Sequence, residues 1–206
     1  MSRLRTGILC ALLAATRTAY SAGDWQPTAA QSAALAAGDV VFEGESAKGR
    51  SGRARAAIMI DASPAQIWRI MTDCAAAPEF VPRLTRCTVI EHVPEKGFDI
   101  IQHEVRYAWF LPRVRYTFRA DYVLNQRIDF RRIGGDLRNM QGTWLLRTDE
   151  HRPARTLVRY QVELDTGFWL PHSLIERSLR RDLPDTLRAL RKRAGSVARP
   201  AEGPGQ

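Results

Sequence analysis

The chain has 206 residues and carries 31 Lys+Arg against 22 Asp+Glu, a formal net charge of +9. With 45% hydrophobic and 26% charged residues it has the balance of a globular protein, and its length suits one domain able to bury a core. Three cysteines exclude a disulfide-dense scaffold and a four-cysteine zinc site, and no apolar run reaches the ~18–20 residues of a membrane-spanning helix.

The N-terminus has the order of a secretory signal peptide: Arg3 and Arg5, a short apolar core from Gly7 to Ala15, then small residues from Ala19 to Gly23. Residues 1–22 are therefore expected to be removed, leaving a periplasmic or secreted chain. Their removal takes three arginines and no acid, which leaves +6. Residues 23–38 are rich in Ala, Gln, Ser and Thr and read as a linker, so the folded domain is expected over 39–194. Val40–Glu45 and Arg53–Ile60 read as a strand pair around the Gly49–Gly52 turn.

Ser63-Pro64-Ala65-Gln66 is a helix start, with Ser63 as cap, Pro64 at the first helical position and Gln66 closing a capping box. Ile67, Trp68, Ile70 and Met71 supply the apolar stripe, Asp73 ends it, and Pro78 and Pro82 bracket a second short helical turn. From Thr85 to Leu164 the period falls to two, predicting about five strands. Ile101, His103, Val105, Tyr107 and Trp109 share one face, and so do Val114, Tyr116, Phe118, Ala120 and Tyr122. Ile128 with Phe130, Gly142 with Trp144 and Leu146, and Thr156 through Tyr160 to Leu164 continue the pattern. Pro171 opens a long helix with Ile175, Leu179, Leu183, Leu187 and Leu190 at helical spacing, which Pro184 is expected to kink or split. Residues 195–206 read as a disordered tail.

Several of these motifs carry a family resemblance: Ile60-Asp61-Ala62-Ser63-Pro64 followed by Trp68 and Thr72-Asp73, Pro78-Glu79-Phe80-Val81-Pro82, Gln141-Gly142-Thr143-Trp144, and Leu170-Pro171 before the leucine-rich helix. The sequence resembles the START-like helix-grip superfamily, the polyketide cyclase/dehydrase and lipid-transport group, and within it the branch of coenzyme-Q-binding proteins. The resemblance implies an α+β helix-grip fold: a curved antiparallel sheet around a long C-terminal helix, with two short helices after the first strands. It also implies a cavity for a lipid, quinone, sterol or polyketide-like aromatic. The motifs themselves mark turns and helix entry and are not catalytic.

No metal ligand set, nucleophile elbow, P-loop or dinucleotide fingerprint is present, so no catalytic residue, metal or cofactor is assigned. Basic residues interleave with acids and no nucleic-acid signature accompanies them, so nucleic acid is not an expected partner. Cys74 and Cys87 are the cysteines left after export and are the candidate disulfide. His103, on an apolar strand face, is open to two readings: a polar anchor or acid/base group in the cavity, or a satisfied core histidine. The expected cavity wall is His103, Val105, Tyr107, Trp109, Tyr116, Phe118, Phe130, Trp144 and Tyr160, with Ile175 and Leu179 from the helix. Arginines along that helix suit either an anionic membrane surface or a solvated helix face.

The sequence thus points to an exported carrier of a hydrophobic small molecule. Two alternatives stand beside it. One is a cyclase or dehydratase, which would need a second buried polar group near His103. The other is an interaction module whose cavity is filled by its own side chains.

Overall fold

The computed structural model describes residues 25–46, 51–109, 111–150, 152–167 and 172–198. The expected signal peptide (1–22) and the last residues of the expected tail (199–206) lie outside them. In chain order the elements are α1 (Ala29–Ala36), β1 (Val41–Ser46), β2 (Ser51–Ile60), α2 (Pro64–Thr72), β3 (Leu84–Val93), β4 (Phe98–Val105), β5 (Val114–Val123), β6 (Arg127–Gly135), β7 (Asn139–Asp149), β8 (Arg152–Asp165) and α3 (His172–Ala198). Among the described residues, eight strands make one sheet in the order β1-β2-β8-β7-β6-β5-β4-β3, with every neighbouring pair antiparallel. The sheet curves around α3, which gives the α+β helix-grip fold.

Local chemistry accounts for the entry into α2. The Ser63 side chain accepts from the Gln66 N–H, the Gln66 side chain accepts from the Ser63 N–H at 2.9 Å, and Pro64 fills a position that needs no donor. Ile67, Trp68 and Ile70 then bury one face of the helix. In β2, Ala54, Ala56, Ile58 and Ile60 point into the main core, where α3 places Leu183, Leu187, Leu190 and Ala194. The small alanines let α3 lie close to this edge of the sheet, and α3 packs on β1, β2 and α2.

Four sequence expectations need correction. Part of the expected linker (23–38) is structured: Thr28 and Gln31 form a capping box for α1, and Trp25, Leu35, Val41 and Ala57 make a second small core on the convex face. Arg159 Nη1 donates to the Trp25 carbonyl at 2.5 Å and Arg191 Nη1 to the Gly38 carbonyl at 2.6 Å, tying this segment down. Second, six strands and not five lie between residues 84 and 165. The extra one, β3, is an edge strand with two register shifts, exposed along most of its length, so it has no alternation to read. Third, α3 runs through Pro184 as one helix, so the proline does not split it, and the expected tail begins within this helix. The buried Leu183, Leu187 and Leu190 hold both halves against the core, and the Thr186 hydroxyl donates to the Asp182 carbonyl at 2.6 Å.

The fourth correction concerns Trp109. β4 ends at Val105, so Tyr107 and Trp109 belong to the β4–β5 loop and the alternation cannot be extended to them. Tyr107 still turns inward, but Trp109 is 87% exposed and is not part of the cavity wall.

Candidate functional site

Strand parity brings the inward side chains of β4 to β8 onto one concave surface beneath α3. They line a cavity of about 260 Å³. From β4 come Ile101, His103 and Val105, and from the following loop Tyr107. Next come Tyr116 and Phe118 of β5, Phe130 of β6, Trp144 of β7 and Tyr160 of β8, closed over by Leu183, Thr186 and Leu190 of α3. Of the expected wall residues, all but three therefore meet at one site. Trp109 is outside it, and Ile175 and Leu179 lie in the first turns of α3, whose side chains are outside the described set. Among the described residues no side chain fills this cavity.

The wall is a connected aromatic surface across five adjacent strands. His103 meets Phe118 edge-on at 4.9 Å, Phe118 meets Phe130 at 6.2 Å, and Phe130 meets Tyr160 at 6.1 Å. Tyr160 stacks on its cross-strand partner Trp144 at 3.8 Å. Gly142 sits opposite Phe130 in the β6–β7 register, and its missing side chain is what lets the Phe130 ring lie flat over the strand. Such rings offer a large apolar area with directional edges and faces, suited to another π-system.

The polar groups in the cavity are few and desolvated. Burial pushes the His103 imidazole from 6.5 down to about 4, so it is neutral at neutral pH. Its Nδ1 lies 3.3 Å from the Tyr116 hydroxyl. Burial raises the Tyr107 phenol to about 12, helped by the Asp182 carboxylate and opposed by Arg83. Tyr116 and Tyr160 are pushed up further by burial, each also feeling Tyr107. Apart from Arg83 and Asp182, the titratable groups lining the cavity are neutral: the phenols of Tyr107, Tyr116, Tyr122 and Tyr160 and the His103 imidazole.

Sequence reasoning missed the charged end of the cavity. Arg83, in the left-handed region at φ 64°, donates from Nε to Asp182 Oδ2 at 2.8 Å and from Nη1 to the Tyr107 carbonyl at 2.7 Å. This latch joins the α2–β3 connection, the β4–β5 loop and α3, and both charged side chains are partly exposed. Asp182 and Thr186 flank the leucine stripe of α3 and could have been marked from helical spacing, whereas nothing local to Arg83 signals its partner. Cys74 and Cys87 form a disulfide, with Cα atoms 5.4 Å apart, and both also line the cavity. The bond ties the segment after α2 to the edge strand β3. Among the described residues no cluster of His, Cys, Asp and Glu could hold a metal ion.

Comparison with known proteins places this geometry. The solved structure of the Zhui aromatase/cyclase from Streptomyces sp. R1128 is similar at a TM-score of 0.60 and 16% identity, covering 80% of this chain and 99% of that one. A STAR-related lipid transfer protein fragment from Xanthomonas axonopodis is similar at a TM-score of 0.65 and 13% identity, covering 76% and 93%. A START superfamily protein from Mycobacterium smegmatis is similar at 0.59 and 15%, covering 78% and 99%. These likenesses are of fold. No curated protein matches the chain. The family model described as polyketide cyclase / dehydrase and lipid transport matches residues 60–191, from the end of β2 into α3. The chain thus belongs to the polyketide cyclase/dehydrase and lipid transport family.

Proposed function

We propose that this protein binds and carries a compact hydrophobic molecule bearing rings and ring oxygens, of quinone or polyketide-like chemistry. The observation that carries this reading is the aromatic wall from His103 to Trp144, with the His103 imidazole and four phenols along the cavity and the Arg83–Asp182 pair at one end. A saturated acyl chain would gain area but offers no hydrogen-bonding group to the phenols and imidazole along the wall. Carbonyl or hydroxyl oxygens on a ring system satisfy them. A volume of about 260 Å³ is at the small end for ligand pockets and suits a compact ligand better than a whole phospholipid. The signal-like N-terminus and the Cys74–Cys87 disulfide both support a periplasmic or secreted location.

A second reading, catalysis on the same ligand, is favoured by one observation: Tyr116 is the second buried polar group within reach of His103. A neutral imidazole beside a phenol can pass a proton to or from a bound carbonyl or hydroxyl.

The test is solvent extraction and mass spectrometry of the protein purified from its native compartment, with titration of 1-aminoanthracene into the ligand-free protein. Ala120 lines the cavity and is fully buried, so Ala120→Phe fills the space from within. Thr117, three residues earlier, belongs to the opposite face. Ala120→Phe is expected to lose probe binding while Thr117→Ala keeps it. Equal binding in both folded variants, or an extract free of any hydrophobic molecule together with no probe binding, refutes the reading.

A further inference from the structure

The disulfide stands in the wall of the cavity, a place that tying down an edge strand does not require. Cys74 and Cys87 both line the cavity, and Cys87 is the direct cross-strand partner of His103 in the β3–β4 register. Directly opposed residues hold their Cβ atoms about 4.5–5.5 Å apart, so the Cys87 sulfur and the His103 imidazole are neighbours on the concave face. His103 lies 3.3 Å from the Tyr116 hydroxyl and meets Phe118 edge-on at 4.9 Å. The disulfide is therefore at the head of the aromatic wall.

The same bond borders solvent-exposed chain. Both cysteines are only half-buried, and their sequence neighbours Asp73, Ala75, Arg86 and Thr88 are exposed. The turn that carries Cys74 is fixed: the Cys74 N–H donates to the Thr72 carbonyl at 3.0 Å and the Ala76 N–H to Asp73 Oδ1 at 3.1 Å. Disulfides kept for stability resist reduction, whereas exposed ones are the labile and catalytic ones. A dithiol and a quinone are matched couples, each exchanging two electrons and two protons. Burial keeps the His103 imidazole neutral at neutral pH, the state that can accept a proton from a thiol.

We propose that Cys74 and Cys87 are a redox pair that passes two electrons from an external dithiol to a quinone held in the cavity. The inference rests on the quinone-like reading of the ligand. In the first half-reaction a thiolate of the external dithiol attacks one sulfur of the disulfide and forms a mixed disulfide. The second external thiol displaces it, so the donor leaves as a disulfide and both cysteines become thiols. In the second half-reaction His103 takes the Cys87 proton and the thiolate adds to a ring carbon of the quinone. The Cys74 sulfur then attacks Cys87, the carbon–sulfur bond breaks, and its electron pair stays on the ring. His103 delivers its proton to the nearer ring oxygen. The Cys74 proton leaves to solvent, and the far ring oxygen takes one from solvent. The sum is dithiol plus quinone giving disulfide plus hydroquinone, with the protein returned to its disulfide form.

The experiment mixes the mature disulfide form, without oxygen, with dithiothreitol and tetramethyl-1,4-benzoquinone, and follows loss of quinone absorbance above the protein-free rate. Full methyl substitution leaves no ring position for a stable thioether. The rate is expected to saturate with quinone and to be suppressed by 1-aminoanthracene. Cys74→Ser/Cys87→Ser should return it to background, and His103→Gln should lower it by roughly tenfold or more while still binding 1-aminoanthracene. Ala120→Phe keeps both cysteines and should also return the rate to background, so the outcome does not depend on a cysteine-free variant folding. Thr117→Ala should keep the rate. Displacement of 1-aminoanthracene by the quinone with no protein-dependent rate overturns the inference and leaves the binding reading intact. Neither displacement nor rate overturns both. A rate unaffected by 1-aminoanthracene or by Ala120→Phe also overturns the inference, because the electrons would then bypass the cavity.

Discussion

Replacing His103 by glutamine isolates the cost of keeping an imidazole in the cavity wall. In the folded protein burial lowers its pKa from 6.5 to about 4, while the unfolded chain keeps the ordinary value. Between these two values the unfolded state holds more protons than the folded state, so stability falls with falling pH. The contribution is complete above pH 6.5 and is lost as the pH drops through that window to about 4. At about pH 4.5 the linkage amounts to roughly 2.5 kcal/mol of lost stability relative to neutral pH. Urea unfolding followed by tryptophan fluorescence, at neutral pH and at about pH 4.5, measures it. His103→Gln keeps a group that can bond to the Tyr116 hydroxyl but does not titrate. The variant should start somewhat less stable, because the ring contacts to Tyr116 and Phe118 are lost, yet show a pH slope smaller by roughly that 2.5 kcal/mol. An unchanged slope in the variant would refute the assignment of a buried, neutral His103, and with it the acid/base reading of the site.

Two further predictions concern the frame of the cavity. Cys74→Ser/Cys87→Ser opens a link across a separation of 13 residues and should cost about 3 kcal/mol by loop-closure entropy, read as a shift of the urea midpoint; no shift would mean the bond does not constrain the unfolded chain. Gly142→Ala places a methyl group against the Gln161 carbonyl and the Phe130 ring, so it should destabilise by about 1–3 kcal/mol and reduce probe binding as Phe130 is forced into the cavity; full stability would show that the register there is different.

Much of the site was legible because it rests on parity. Tyr116-Phe118-Ala120-Tyr122 and Val158-Tyr160-Val162-Leu164 alternate with polar residues, and each set does lie on the concave face. Parity has no marker for where a strand stops, which is why Tyr107 and Trp109 looked equivalent and are not. β3 was hidden for the opposite reason: an edge strand open to solvent on most of its length gives burial nothing to imprint on the sequence. The α1 segment is largely alanine and shows little amphipathic contrast, although Thr28 with Gln31 was a visible capping box and Trp25 an apolar anchor beside it. The Arg83–Asp182 latch joins residues 99 positions apart, and only the fold puts them together. The volume of the cavity is likewise not a property of any residue, since it is the gap between the curvature of the sheet and the seat of α3.

The second small core under α1 divides the sheet mechanically. β1 and β2 are gripped from both sides, by α3 within the curve and by α1 with Trp25 outside it. β4, β5 and β6 have cavity on one side and no packed helix on the other among the described residues. The molecule is therefore a stiff spine carrying a compliant wall. An oversized guest is expected to displace that wall before it displaces the spine, which α3 and α1 hold from its two faces. The disulfide at the free edge acts as a hem that limits how far that wall can travel.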